Sequence, residues 1–263
     1  MGRTKILFFD SGVGGVTLLH KAIQRFPRED FIYYTDSANM PYGNQSKDDV
    51  LTYIMNSISE ISKHELKALV ISCHTIDAIG MDALKQYFKI PVIGVGQAKK
   101  FLDRDFDPRK VLVVGTPLMI RHVTPRQKVS GLQDQDIVDM LPLQKLVDFS
   151  EEFDFESPMV KRYLNDSLSK INWEEYHTLV IACSHMMFFI KHFRKIIPAE
   201  IHIIDGQQES LDLLAFQIQQ ETDNRPYELQ CFLSGKEVAT EVLGPYLNYL
   251  NTSGFFYPGN NSV

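Results

Sequence analysis

The chain has 263 residues, 44% of them apolar and 23% charged, with 27 Lys and Arg against 33 Asp and Glu for a net charge of −6. That balance is ordinary for a globular protein, and without a long basic run it lacks the electrostatic footprint of nucleic-acid binding, so no nucleic-acid partner is expected. The length suits one large domain or two modest ones, each able to bury a core.

In chain order, Lys5 to Phe9 reads as a buried strand closed by the polar turn Asp10-Ser11. Its apolar part, Ile6 to Phe9, is far too short to cross a bilayer or to form a signal-peptide core, so no membrane association is expected. Ser11-Gly12-Val13-Gly14-Gly15 follows as a tight turn and lacks the Lys-Ser/Thr ending of a phosphate loop. The pattern predicts a helix from Val16 to Phe26, a strand from Phe31 to Thr35, and a loop from Asp36 to Ser46 containing Pro41-Tyr42-Gly43. Leu51, Ile54, Ile58 and Ile61 give a helix over Val50 to Lys63. A strand then runs into Leu69-Val70-Ile71-Ser72-Cys73-His74-Thr75, followed by a helix through Tyr87 and the strand Ile90 to Gly94.

The second half starts near residue 97. It holds a strand from Lys110 to Val114 closed by Gly115-Thr116, a helix or two through Lys128, a strand near Ile137, and a helix around Met159 to Ile171. The strand Leu179-Val180-Ile181-Ala182-Cys183-Ser184-His185, a further helix and the strand Ile201 to Asp205 complete it. Leu211, Leu214, Ala215 and Ile218 mark one helix face, Leu229 to Leu233 a strand, and Val238 to Leu250 a final helix, before a polar tail from Pro258 to Val263 that is expected to fray. Strands alternating with helices imply mostly parallel sheets with helices on both faces.

The halves match. Lys5 to Ser11 pairs in pattern with Lys110 to Thr116, the Cys73 strand with the Cys183 strand, and Ile90 to Gly94 with Ile201 to Asp205, in one order and at nearly one spacing. The expected fold is therefore α/β, as two pseudo-symmetric domains with the active site in the cleft between them. The last elements have no counterpart in the second half and are expected to return to the first domain, giving residues 1–96 plus 208–263 against 97–207.

In such sheets ligands bind outside the carboxyl ends of the strands, where Asp10, Ser11, Cys73, His74, Thr75, Thr116, Cys183, Ser184 and His185 all fall. A helix start just after each cysteine offers free N–H groups and a positive dipole end, which stabilise carboxylates and lower a thiol pKa. Two thiols facing one cleft suit chemistry that needs a proton-transfer group on each side of a small substrate. Cys231 lacks this context and is expected in the core, as is Met186 to Phe189. Asp10 also has the reading of a simple helix cap, and His185 that of a structural histidine. Three cysteines are no disulfide framework, which points to a reducing cytoplasm. No metal-ligand spacing and no cofactor motif are present, so neither is expected.

Asp10-Ser11-Gly12-Val13-Gly14-Gly15, Pro41-Tyr42-Gly43, Cys73 with Thr75, Cys183 with His185, Asp205-Gly206 and Phe232-Leu233-Ser234-Gly235 together resemble the glutamate racemase family, over almost the whole length. The resemblance implies a two-domain, cofactor-independent racemase that supplies D-glutamate for bacterial peptidoglycan, with an amino acid as its partner and homodimers among its members. It assigns Cys73 to the D-enantiomer and Cys183 to the L-enantiomer, with Asp10 and His185 assisting the thiols. Ser11, Pro41, Tyr42, Gly43, Thr75 and Ser184 align with the substrate shell.

The chain departs from that pattern at several points. His74 stands where the family usually has Asn, bringing a group that can be charged near neutrality and that could bind the substrate carboxylate or change the preferred amino acid. Ser184 replaces Thr, and Gly94-Val95-Gly96-Gln97-Ala98 replaces Gly-Val-Ile-Glu-Pro. The family's assisting Glu is out of place, with Asp148 or Glu151 nearby. These departures keep two alternatives open: a racemase of aspartate or another small amino acid, and a non-catalytic amino-acid-binding descendant.

Overall fold

The computed structural model of the chain describes residues 3–96, 109–122 and 138–253. The first four strands are β1 (Lys5–Asp10), β2 (Asp30–Thr35), β3 (Leu66–Ile71) and β4 (Val92–Gly94). The next four are β5 (Lys110–Gly115), β6 (Val138–Pro142), β7 (Tyr176–Ala182) and β8 (His202–Ile204), and the last two are β9 (Leu229–Leu233) and β10 (Lys236–Val238). They form a six-stranded sheet in the order β10-β9-β2-β1-β3-β4 and a four-stranded sheet in the order β6-β5-β7-β8. Every pairing is parallel except β9 with β10.

The duplication is visible in this order, because β2-β1-β3-β4 and β6-β5-β7-β8 are the same arrangement. The likeness extends to an irregularity: the β1–β3 ladder shifts between Lys5 and Ile6, and the β5–β7 ladder between Lys110 and Val111. β1 and β7 are continuous apolar runs because both of their faces are covered, as parallel strands require.

Nine helices accompany the strands among the described residues: α1 (Val16–Arg25), α2 (Lys47–Ile61), α3 (His74–Tyr87), α4 (Pro117–His122), α5 (Lys145–Glu151), α6 (Pro158–Leu168), α7 (Ile190–Ile196), α8 (Gln207–Gln217) and α9 (Gly244–Thr252). Ser46 caps α2 and Ser157 caps α6, each accepting a hydrogen bond from the N–H three residues on. α1 is buried all along Val16 to Ala22, with Thr17, His20 and Lys21 included. One core cluster explains this, running from β1 and α1 to Leu112, Leu179 and Phe188 of the other sheet. After β8 the chain returns to the first sheet: Ser210 on α8 donates to the Gly94 carbonyl at 2.8 Å, and Gln207 donates to Thr17 at 2.8 Å. No helix among the described residues is long and apolar enough to cross a membrane.

Three sequence expectations change. Val238 to Leu250 is not one helix. Ser234 (φ 46°) and Gly235 (φ 83°) make a tight turn that folds Lys236 to Val238 back on β9, and α9 starts only at Gly244. A three-residue strand is too short to show alternation. The helix after Cys183 begins as a 3₁₀ turn, Ser184–Phe189, and becomes α-helical at Ile190. α5 was not predicted, since seven residues give no stretch of periodicity to read. The boundary near residue 97, the helical stretch over residues 123–128, Ile137 and the tail from Pro258 lie outside the described residues.

The crossing back toward α8 depends on Gly206. Its φ of +75° is a conformation that side chains resist, and a Cβ there would collide with the Val95 carbonyl. Gly206→Ala is expected to lower stability by about 2 kcal/mol or more, measured by urea denaturation.

Candidate active site

β1 ends on Asp10 and β3 ends two residues before Cys73, on either side of the point where the strand order of the first sheet reverses. Open α/β sheets hold ligands at such a point. β5 and β7 bring Thr116 and Cys183 to the equivalent place in the second sheet. The two ends face each other. One small space is lined by Ser11, Pro41, Tyr42, Gly43, Cys73, His74 and Thr75 from one side and by Thr116, Val147, Cys183, Ser184 and His185 from the other. It leaves about 10 Å³ for the centres of water-sized molecules, room for roughly one.

The structure thus brings together every residue marked out from the sequence except Asp10, which is fully buried just outside the lining. Asp10 Oδ1 accepts the Gly12 N–H at 3.2 Å, and Oδ2 lies where a Cβ on Gly15 would come within 2.8 Å. The glycine turn is tight because of what it meets: a Cβ on Gly12 would overlap the Glu151 carboxylate, and one on Gly14 would overlap Ser184 and His185. The Pro41 to Gly43 loop is propped from β9, since Ser234 donates to Asp36 at 2.9 Å and Tyr42 donates to the other Asp36 oxygen at 2.6 Å. Thr75 and Thr116 hydroxyls meet across the space at 3.4 Å.

The two thiols sit in different surroundings. Cys73 precedes a 14-residue α-helix and its sulfur lies 3.5 Å from the Ser11 hydroxyl. The helix start was expected to lower this thiol's pKa. Instead burial, and next the charge of Asp10, push it up to about 12, against the Ser11 hydroxyl and the Ile76 N–H. Burial likewise raises the Asp10 carboxyl, opposed by His185. On the other side, the Cys183 sulfur is 4.0 Å from His185 Nδ1, and His185 Nε2 is 2.6 Å from Glu151 Oε1. Burial disfavours a charge on His185, but the sulfur and the carboxylate on its two nitrogens outweigh burial and hold its pKa well above the ordinary value. Burial works the other way on Glu151, where the His185 bond prevails and keeps the carboxyl below its usual range. The same Glu151 oxygen accepts the Val13 N–H at 2.8 Å, so it joins the first sheet's turn to the second sheet's histidine.

His74 does not bring the charge expected of it. Burial drives its pKa down to about 4, so at neutrality it is an uncharged ring lining the space, with Nδ1 left without a partner. Cys231 is buried in β9, and Met186 to Phe189 are buried throughout, as expected. Val147 and Gln144 escaped the sequence reading. Gln144 lies beside Gly43 with both amide atoms buried and unpartnered. Glu151 was named only with Asp148. The missing signal was helical spacing: Val147 and Glu151, four residues apart, share the inward face, whereas Asp148 points to solvent.

Comparison with known proteins agrees with this architecture. Residues 11–214 match the family model described as Asp/Glu/Hydantoin racemase. A glutamate racemase of Halothermothrix orenii is 42% identical over 78% of this chain and 81% of its own length. The crystal structure of glutamate racemase from Campylobacter jejuni superposes with a TM-score of 0.80 at 24% identity, covering 95% of this chain and 99% of that one. That of Francisella tularensis glutamate racemase in complex with D-glutamate gives a TM-score of 0.79 at 25% identity, covering 95% and 94%.

The buried neutral His74 makes stability depend on pH. On unfolding its pKa returns from about 4 toward 6.5, so below pH 6.5 the unfolded chain binds a proton that the native state refuses. Stability from this residue is complete above about pH 6.5 and is lost as the pH falls toward 4. Between pH values near 7.5 and near 4.5, wild type is expected to lose about 2–3 kcal/mol more than His74→Asn, measured by urea denaturation at each pH.

Proposed function

Since the chain belongs to the Asp/Glu/Hydantoin racemase family, we propose that it interconverts L- and D-glutamate without a cofactor, using Cys73 and Cys183 as its two bases. The observation that carries this is the placement of both sulfurs, from equivalent strand ends of two sheets, on the lining of one small space. Racemisation must break and remake one Cα–H bond on opposite faces. A thiolate on one face takes the proton as the electron pair stays on Cα, and a thiol on the other face returns a proton to that pair. The sulfurs exchange protonation state with each turnover, and proton exchange with solvent restores them before the next turnover in the same direction. Following the family's pattern, Cys183 takes the proton of the L-enantiomer and Cys73 that of the D-enantiomer.

The surrounding groups fit those steps. An imidazolium at His185 balances negative charge developing on the Cys183 sulfur, and Glu151 holds that ring in place. Asp10 stands beside Cys73 and is read as its assistant. Ser11, Pro41, Tyr42, Gly43, His74, Thr75 and Ser184 are read as the substrate shell, with Thr116 added by position. His74, being neutral, serves as a hydrogen-bonding group in the role of the amide it replaces. A space with room for roughly one water admits an amino acid only when its two walls separate. Those walls belong to two domains, read as residues 1–96 plus 208–263 and 97–207. The product would serve bacterial peptidoglycan synthesis in the cytoplasm.

Purified protein is expected to convert L-glutamate to the racemate with no added cofactor and to wash solvent deuterium into Cα, followed by chiral chromatography and mass spectrometry. Cys73→Ser and Cys183→Ser should each abolish conversion, and Cys231→Ser should leave it near wild type. Turnover of L-aspartate in place of glutamate would overturn the substrate assignment. Binding of glutamate without any exchange would overturn the enzymatic reading, and equal loss in all three variants would point to a folding defect.

A further inference from the structure

α5 carries Glu151 in its last turn, and the way that helix ends is unusual. The N–H of Phe153 bonds to the Ser150 carbonyl at 3.2 Å and that of Asp154 to the Phe149 carbonyl at 2.7 Å. This is the six-to-one, five-to-two closure in which the residue after the cap turns left-handed, a place where glycine is the common choice. Here the residue is Phe153, with φ of 57°. A phenylalanine holds that backbone only where its ring is fixed by something else.

What fixes it is α9. The Phe153 ring sits edge-on to Tyr246 at 5.1 Å and to Tyr249 at 6.4 Å, and edge-on to Phe155 at 4.9 Å. Tyr246 also donates its hydroxyl to the backbone carbonyl of Glu151 at 3.3 Å. α9 is anchored in turn to α1, where His20 Nε2 lies 2.7 Å from Asn251 Oδ1. A line of contacts thus runs from α1 through α9 to the end of α5, and from there through Glu151 and His185 to Cys183.

We infer that α9 is a positioning element for the Cys183 side of the site, and that Tyr246 is a positioning residue acting through Glu151. The inference rests on the two-thiol reading given above. In it, Tyr246 and the Phe153 ring set the end of α5 so that one Glu151 oxygen reaches both His185 Nε2 and the Val13 N–H. Loosening that end lets the imidazole drift from Cys183 and slows proton transfer at that sulfur, while the Ser11 hydroxyl stays beside Cys73.

The enantiomers have equal free energy, so any variant changes kcat/KM by the same factor in both directions. Side-specific information lies in isotope effects. In Tyr246→Phe, kcat/KM is expected to fall about fivefold. The isotope effect from glutamate deuterated at Cα should rise in the direction where Cys183 takes the proton and fall in the other. Glu151→Gln should shift each isotope effect in the direction that Tyr246→Phe does, and adding Tyr246→Phe to it should cost nothing further, as expected for residues acting through one another. Phe153→Gly, which suits the left-handed backbone, should give the Tyr246→Phe pattern with little change in Tm. A Tyr246→Phe enzyme with unchanged rate, with both isotope effects moved equally, or with effects additive to Glu151→Gln would overturn the inference. Wild-type protein that neither racemises glutamate nor exchanges its Cα proton would overturn the underlying reading instead, before any variant is made.

Discussion

One carboxylate oxygen ties the two halves of the site together. Glu151 Oε1 meets His185 Nε2 at 2.6 Å and accepts the Val13 N–H at 2.8 Å, so the turn after β1 and the turn after β7 share an atom. Burying an ion pair is costly unless its partners are complete, and removing one member of such a pair typically costs about 3–5 kcal/mol. Here the set is complete: carboxylate, imidazole, sulfur and backbone amide in sequence. The two glycines of the first turn are what let the carboxylate and Ser184 come so close, since a Cβ at Gly12 or Gly14 would occupy their space. The glycine run, which first reads as a turn near a substrate, is more directly a turn that fits one sheet's edge against the other's.

The frame is duplicated and the chemistry laid on it is not. Strand order and even the ladder irregularities repeat between the sheets, so each cysteine leaves its strand at an equivalent place. Beyond that point the repeat breaks. Cys73 opens a long α-helix and has an acid, Asp10, for a neighbour; Cys183 opens a short 3₁₀ turn and has a cation-forming ring. On the proposed reading, two bases that act on mirror-image substrates do not need mirror-image surroundings. Each needs only to be reachable as thiolate and as thiol in the course of one cycle.

Much of this was legible in the sequence because it rests on short-range regularities. A four-residue apolar run ending in Asp10, and two more ending at Cys73 and Cys183, identify parallel strands and place their polar ends on one side of the sheets. The matched order of the blocks then supplies the pseudo-symmetry. What was not legible depends on tertiary placement. Glu151 lies on a seven-residue helix that has no periodicity to detect, and its partner Val13 is more than a hundred residues away. His74 reads as a potential charge because the sequence gives its type and not its burial; full enclosure makes it neutral. The β9–β10 hairpin was lost because its second strand has three residues, yet its Ser234 props the Pro41 to Gly43 loop through Asp36.

The high pKa of Cys73 bears on how such a site works at all. A thiol at about 12 is a thiolate at pH 7 only at a cost of about 7 kcal/mol, since each unit is worth about 1.4 kcal/mol. Burial is the largest cause and Asp10 the next. On the proposed racemase reading, an amino acid entering this space brings its own α-ammonium group, and an added positive charge a few ångströms from a buried sulfur shifts the balance by several kcal/mol in a medium of low effective dielectric. The substrate then supplies part of the activation of the base that attacks it. On that reading, the high pKa keeps Cys73 a thiol until an amino acid is bound, and a thiol resists oxidation better than a thiolate.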